Sequence, residues 1–176
     1  EWIPITHSTP ETCALAIRTP DSCIVHTADW KIDDEPVVGT AWSARHFEAL
    51  GKEGVDAVIC DSTNALRAGR SPSEGAVARE LGKVIEGRQG RVVVGCFSSN
   101  IARIQTLSSI AAKNKRYFAI LGRSASGMAR CARQVGLLES QFQPIYPEHL
   151  GYLPPSEVLA VATGSQGEWG AALYRL

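Results

Sequence analysis

No acidic residue occurs between Glu86 and Glu139, a gap that holds nine basic ones, from Arg88 to Arg133. The formal net charge of the 176-residue chain is nevertheless zero, because the segments on either side are net acidic. Such asymmetry suggests an anionic partner on one side; a solvated basic face balanced by acids elsewhere in the fold is the alternative. No apolar run approaches the roughly 20 residues of a membrane-spanning helix, so none is expected in these residues. No Cys-x-x-Cys pair is present, and the five cysteines at 13, 23, 60, 96 and 131 are widely spaced. That argues against a zinc knuckle and predicts free thiols buried in apolar strands, as suits a reducing cytoplasm. Neither G-x-x-x-x-G-K-[ST] nor G-x-G-x-x-G occurs, so the usual nucleotide fingerprints fail. Internal repeats and low-complexity tracts are also absent.

What is there is a chain long enough for one core-bearing domain. "TCALAIRT" and "SCIVHTAD" flank Pro20-Asp21, which reads as a hairpin with a tight turn. The pattern then changes. A helix over 41–51, ending at Gly51, precedes the strand "VDAVIC". Ser71-Pro72-Ser73-Glu74 predicts a capping box with proline in the first helical position, and that helix leads to "RVVVGCF". A third helix, with Ile101, Ile104, Leu107 and Ile110 near one face, leads to "RYFAIL". A fourth ends near Gly136, a Pro-rich irregular segment covers 143–156, and "EVLAVAT" follows. Continuous apolar strands alternating with helices predict an α/β fold, a Rossmann-like parallel sheet flanked by helices.

In such sheets ligands bind beyond the carboxyl ends of the strands. The four strands there deliver Asp61-Ser62-Thr63-Asn64, Ser98-Ser99-Asn100 with Arg103, Gly122-Arg123-Ser124, and Thr163-Gly164-Ser165-Gln166-Gly167-Glu168. Each is expected to open a helix, whose free N–H groups favour anions, and the arginines add fork-shaped donors. Ordinary N-capping explains any one of these ends. The four together suit a phosphate-type ligand.

Asp29 closes the strand "SCIVHTAD", and His7 precedes Ser-Thr-Pro. Taken alone, both are better read as cap or turn residues than as metal ligands. His26 lies three residues before Asp29 and faces the other way along a strand. His46 is expected at the core edge of a helix, and His149 in the Pro-rich loop. Trp2, Trp30, Trp42 and Trp169 could stack on bases, with Trp30 and Trp42 better suited to packing.

The segments "HSTPE", "CALAIRTPDSCIVHTADWKIDDEPV", "CDSTNA", "GRSPSE", "FSSNIARI", "LGRS" and "ATGSQGE" occur in the order seen in the ribonuclease J family, which the chain resembles over essentially its whole length. The resemblance implies a metallo-β-lactamase-fold nuclease with an inserted β-CASP domain. Residues 1–38 would be a few metallo-β-lactamase strands and 39–176 the β-CASP α/β domain. It implies two zinc ions, with His7 a ligand to one and Asp29 bridging both. "TADWK" carries alanine where the family has glycine and keeps the acid. Asp61 corresponds to the acid of the first β-CASP motif and joins His7 and Asp29 as a catalytic residue. Ser62, Arg123, Ser124 and Ser165 are implied RNA contacts, although "LGRSASGM" departs from the commoner "GRSM". The implied partner is single-stranded RNA, in a cytoplasmic homo-oligomer with no membrane association. The alternatives are a metal-dependent hydrolase of DNA or a small ester or phosphoester, and a non-catalytic nucleic-acid-binding module. The chain opens on Glu1 and stops in "GAALYRL", a helical pattern without a stop signal. The family's H-x-H-x-D-H motif is missing. Both point to a piece of a longer protein, and these residues alone are expected to bind zinc poorly and cleave no RNA.

Overall fold

The computed structural model describes residues 1–139 and 142–176. Alternating burial in the first segment makes a half-covered sheet. Strand β1 (Trp2–Pro4) pairs antiparallel with β2 (Cys13–Arg18), and β2 with β3 (Cys23–His26) across the expected hairpin. Thr19 closes the turn, donating its N–H to Ser22 O at 2.8 Å. Ile3, Ala14, Ala16, Cys23 and Val25 turn one way and pack with Leu50, Phe47, Val55 and Trp30. Phe47 and Leu50 come from helix α1 (Arg45–Glu53). That helix begins four residues later than the sequence suggests and runs through Gly51. The positive φ that ends it belongs to Gly54, at 106°.

The next strand, β4 (Ala57–Ile59), departs from expectation. It pairs in parallel with β3 and so completes the first sheet in the order β1-β2-β3-β4, rather than joining the later strands. Asp56 explains the choice: its carboxylate accepts the Cys23 N–H at 2.7 Å, and its own N–H donates to Cys23 O at 2.8 Å.

The second sheet is wholly parallel, in the order β5 (Val92–Gly95), β7 (Val158–Ala162), β6 (Tyr117–Leu121). All five residues of β7 are buried, as a central strand covered on both faces requires. Helices α2 (Glu74–Ile85), α3 (Ile101–Lys113) and α4 (Arg123–Gln134) connect and cover it. Ile101, Ile104, Leu107 and Ile110 of α3 join Phe118, Ile120, Leu159 and Val161 in one core. This is the α/β architecture that the alternating apolar pattern predicted, with three strands in the parallel sheet instead of four among the described residues. At its opposite end, buried Arg116 donates to the carbonyls of Gly90 (3.0 Å), Val158 (2.9 Å) and Arg88.

Three further expectations are corrected. The cap of α2 is Ser73, whose Oγ accepts the Ala76 N–H at 3.0 Å, so Glu74 starts the helix and no capping box forms from Ser71. His46 is exposed rather than at the core edge. All five cysteines are free, but only Cys23 and Cys96 are buried. The residues of "GAALYRL" form a short 3₁₀ turn, Leu173–Arg175. Among the described residues no helix is long and apolar enough to cross a membrane.

Candidate functional site

Two threonines, Thr6 and Thr27, bring the ends of the first sheet together. Thr6 sits beside His7. Its carbonyl accepts the Lys31 N–H at 2.8 Å, its hydroxyl donates to Lys31 O, and the same hydroxyl accepts the Asp33 N–H at 3.1 Å. The segment carrying Asp29 is thereby tied to the segment carrying His7. Thr27 directly follows β3 and is buried. Its N–H donates to Ile59 O at 2.9 Å, and its hydroxyl donates to Ala28 O at 2.9 Å and accepts the Asp61 N–H at 3.3 Å. One side chain therefore sets the paths to both Asp29 and Asp61. Nothing in the sequence patterning marked these threonines; only the strand pairing gives them the role.

Ala28 stands in the left-handed region, with φ at 54°. A Cβ there costs about 1–2 kcal/mol, and the strain lies one residue before Asp29. Ala28→Gly is therefore expected to raise stability by about 1 kcal/mol instead of lowering it, a shift readable in the urea midpoint.

His7, Asp29, Asp61 and Ser62 line one open cleft of about 790 Å³, with Trp30, Lys31, Cys60, Arg70 and Phe97 also on its walls. The strand end carrying Asp61 opens into turns rather than a helix. Thr63 donates its hydroxyl (2.5 Å) and its N–H (2.8 Å) to Asp61 Oδ1. These two bonds, the hydroxyl first, hold the Asp61 carboxyl below the usual range, and the charge of nearby His7 adds to them. Asp61 is therefore a carboxylate throughout the neutral range.

His7 and Asp29 have the right chemistry for zinc, an imidazole and a carboxylate. Among the described residues, however, no three His, Cys, Asp or Glu side chains stand close enough to hold one ion. Among the described residues, His7 and Asp29 do not make a closed metal site by themselves.

The remaining expected residues lie at the end of the parallel sheet. Arg123 and Ser124 line a second cavity, of about 550 Å³, with Gly122, Thr163, Gly164, Trp169 and Arg175. Gly122, at φ 122°, turns the chain from β6 into α4; a Cβ there would collide with the Thr163 side chain. Ser165 is exposed and is not on the cavity wall, though its Cβ lies 3.6 Å from where a side chain on Gly95 would begin. Only two of the four strand ends open helices, at Asn100 and Gly122.

Arg103 is paired with an acid inside the fold. Its Nη2 pairs with Glu74 Oε2 at 3.2 Å, and Lys31 Nζ meets Glu74 Oε1 at 3.3 Å and Asp33 Oδ2 at 3.2 Å. Asp33 in turn accepts the Glu74 N–H at 2.9 Å. This half-sealed cluster joins the Asp29 segment to the starts of α2 and α3, and so fixes the first sheet's cleft against the second sheet.

Residues 89–176 match the family model described as "Ribonuclease J, beta-CASP domain". Among curated proteins, the chain is 44% identical over 176 residues to "Ribonuclease J" of Sinorhizobium meliloti, covering all of this chain and 31% of that protein. It is 41% identical over 172 residues to "Ribonuclease J" of Thermus thermophilus, covering 98% of this chain and 30% of that one. With the Helicobacter pylori "Ribonuclease J" (strain J99) the identity is 39% over 177 residues, covering all of this chain and 26% of the relative. The chain thus spans about a third of the length of these relatives or less. A crystal structure of a protein of unknown function from Enterococcus faecalis V583 superposes with a TM-score of 0.56 at 17% identity, over 91% of this chain and 40% of that one. That likeness concerns the fold.

Proposed function

This chain belongs to the ribonuclease J family, and on that premise we propose that it is part of a zinc-dependent ribonuclease that hydrolyses phosphodiester bonds in single-stranded RNA. The observation that carries the reading is the shared cleft of His7, Asp29 and Asp61. His7 and Asp29 are the residues that would hold metal, completed by ligands from outside these 176 residues. Zinc in such a site supplies Lewis acidity toward phosphate oxygens. Asp61 stays ionised beside them, and the second cavity, with Arg123 and Arg175, suits neighbouring phosphates.

The test compares the full-length protein on 5′-phosphorylated RNA, on DNA of the same sequence and on a model phosphoester. Preference for RNA supports the reading; equal or better turnover of DNA or the ester, or turnover of none of the three, rejects it. Phosphate contacts of this kind are salt-dependent and carry little sequence preference. Arg123→Ala is expected to weaken RNA binding at low salt and to flatten log K against log salt by about 0.7, one phosphate's share for a single strand. Fluorescence anisotropy across a salt series reads both.

A further inference from the structure

Phe97 follows β5 and lines both cavities, the cleft of His7, Asp29 and Asp61 on one side and that of Arg123 and Ser124 on the other. It is 52% exposed. Its chain neighbours are fixed: Cys96 is buried, with its N–H on Ala162 O at 2.9 Å, and buried Asn100 donates its N–H to Phe97 O at 3.2 Å. The backbone is thus pinned by sheet and cap while the ring is left in solvent. Packing does not account for it. Phe97 is in neither hydrophobic cluster, and among the described residues it enters no aromatic pair. A large apolar ring in water, on a rigid support and between two cavities that each carry arginine, forgoes the burial that would stabilise it.

We propose that Phe97 is a base-stacking platform, on which one nucleobase of a single strand rests while the phosphates on its two sides occupy the two cavities. The chemistry agrees on each count. Stacking accepts every base, because every base has a π-face. The flanking walls offer what phosphates need, Arg70 in one cavity and Arg123 and Arg175 in the other. The ring's place on the shared wall gives the strand one path, from the second cavity over Phe97 into the cleft. Phe97 therefore sets which phosphodiester reaches His7 and Asp29, without reading sequence. This inference rests on the ribonuclease reading and specifies how its substrate is seated.

The test uses the full-length protein and a short nuclease-resistant 2′-O-methyl RNA, with an abasic residue moved along it one position at a time. The wild-type protein is expected to lose about tenfold in affinity when the abasic residue falls at one position. Phe97→Ala is expected to bind the intact strand about tenfold more weakly and to show no further loss at that position. Phe97→Trp is expected to keep the affinity and to change its fluorescence on binding, which also reports that the protein is folded. Wild-type binding with a flat abasic scan, or an abasic penalty that survives Phe97→Ala, overturns the platform and leaves the nuclease reading standing. No binding of the intact strand by the wild-type protein overturns both.

Discussion

Asp29→Asn is expected to lower kcat/KM of the full-length protein on RNA by about a thousandfold or more, equivalent to about 4 kcal/mol of transition-state stabilisation, while leaving the fold intact. Asp29 is exposed on the wall of the cleft. Asparagine keeps the shape and removes the charge, so stability should move by no more than about 0.5 kcal/mol, as at ordinary surface sites. The split between the two measurements is the point. A residue that only ended a strand would affect neither by much, and a structural residue would affect both. Turnover within tenfold of wild type, at unchanged thermal midpoint, would remove Asp29 from the chemistry. It would take with it the reading of the cleft as a site of phosphodiester hydrolysis.

Glu74→Ala should be the most destabilising single truncation in the polar interior, at about 3–5 kcal/mol. The Glu74 side chain is 9% exposed and faces two cations, Lys31 at 19% and Arg103 at 22%. With Asp33 the four charges balance. Alanine leaves two half-buried cations against one carboxylate, and neither can regain full hydration without opening the joint between the sheets. Asp33→Ala would also cost the backbone bonds to Glu74 and Glu35 at 2.9 and 3.0 Å, so it is the less clean test. Urea unfolding of Glu74→Ala beside Glu80→Ala isolates the effect. Glu80 pairs with Lys83 at 2.7 Å on an exposed helix face, and its loss should cost about 0.5 kcal/mol or less. Equal midpoints for the two variants would mean that solvent reaches the Glu74 cluster freely.

Where the sequence was informative, local physics carried the information. Pro20-Asp21 between two alternating runs is a local hairpin signal, and β2 and β3 pair across it. Continuous apolar runs such as "VLAVA" can satisfy themselves only between two covering layers, and β7 is buried throughout. The segments shared with the ribonuclease J family picked out His7, Asp29, Asp61 and Ser62, and the fold gathers all four on one cleft. Arg123 and Ser124 share the second cavity, whereas Ser165 stands outside it.

What failed depended on partners distant in the chain. "GRSPSE" has the letters of a capping box, but Glu74 is drawn inward by Lys31 and Arg103, from 43 and 29 residues away. The cap therefore passes to Ser73. Arg103 looked like a phosphate donor because its neighbours are hydroxyls and an amide; the same long-range pairing consumes it. Strand β4 is three residues long, too short for its pattern to name a sheet, and the bonds from Asp56 to Cys23 decide it.

The sequence by itself determined the alternation of strands and helices, the two-sided burial of the central parallel strand, the acid-free basic stretch and the identities of the acids and histidine at the strand ends. Each of these follows from period, composition or residue chemistry within a short window. Only the tertiary structure decided which strand ends share a cleft, which charges neutralise one another and which ring is left in solvent between two cavities. Those outcomes depend on hydrogen-bond and Coulomb partners far apart in the chain, whose meeting is set by strand order and not by neighbouring residues.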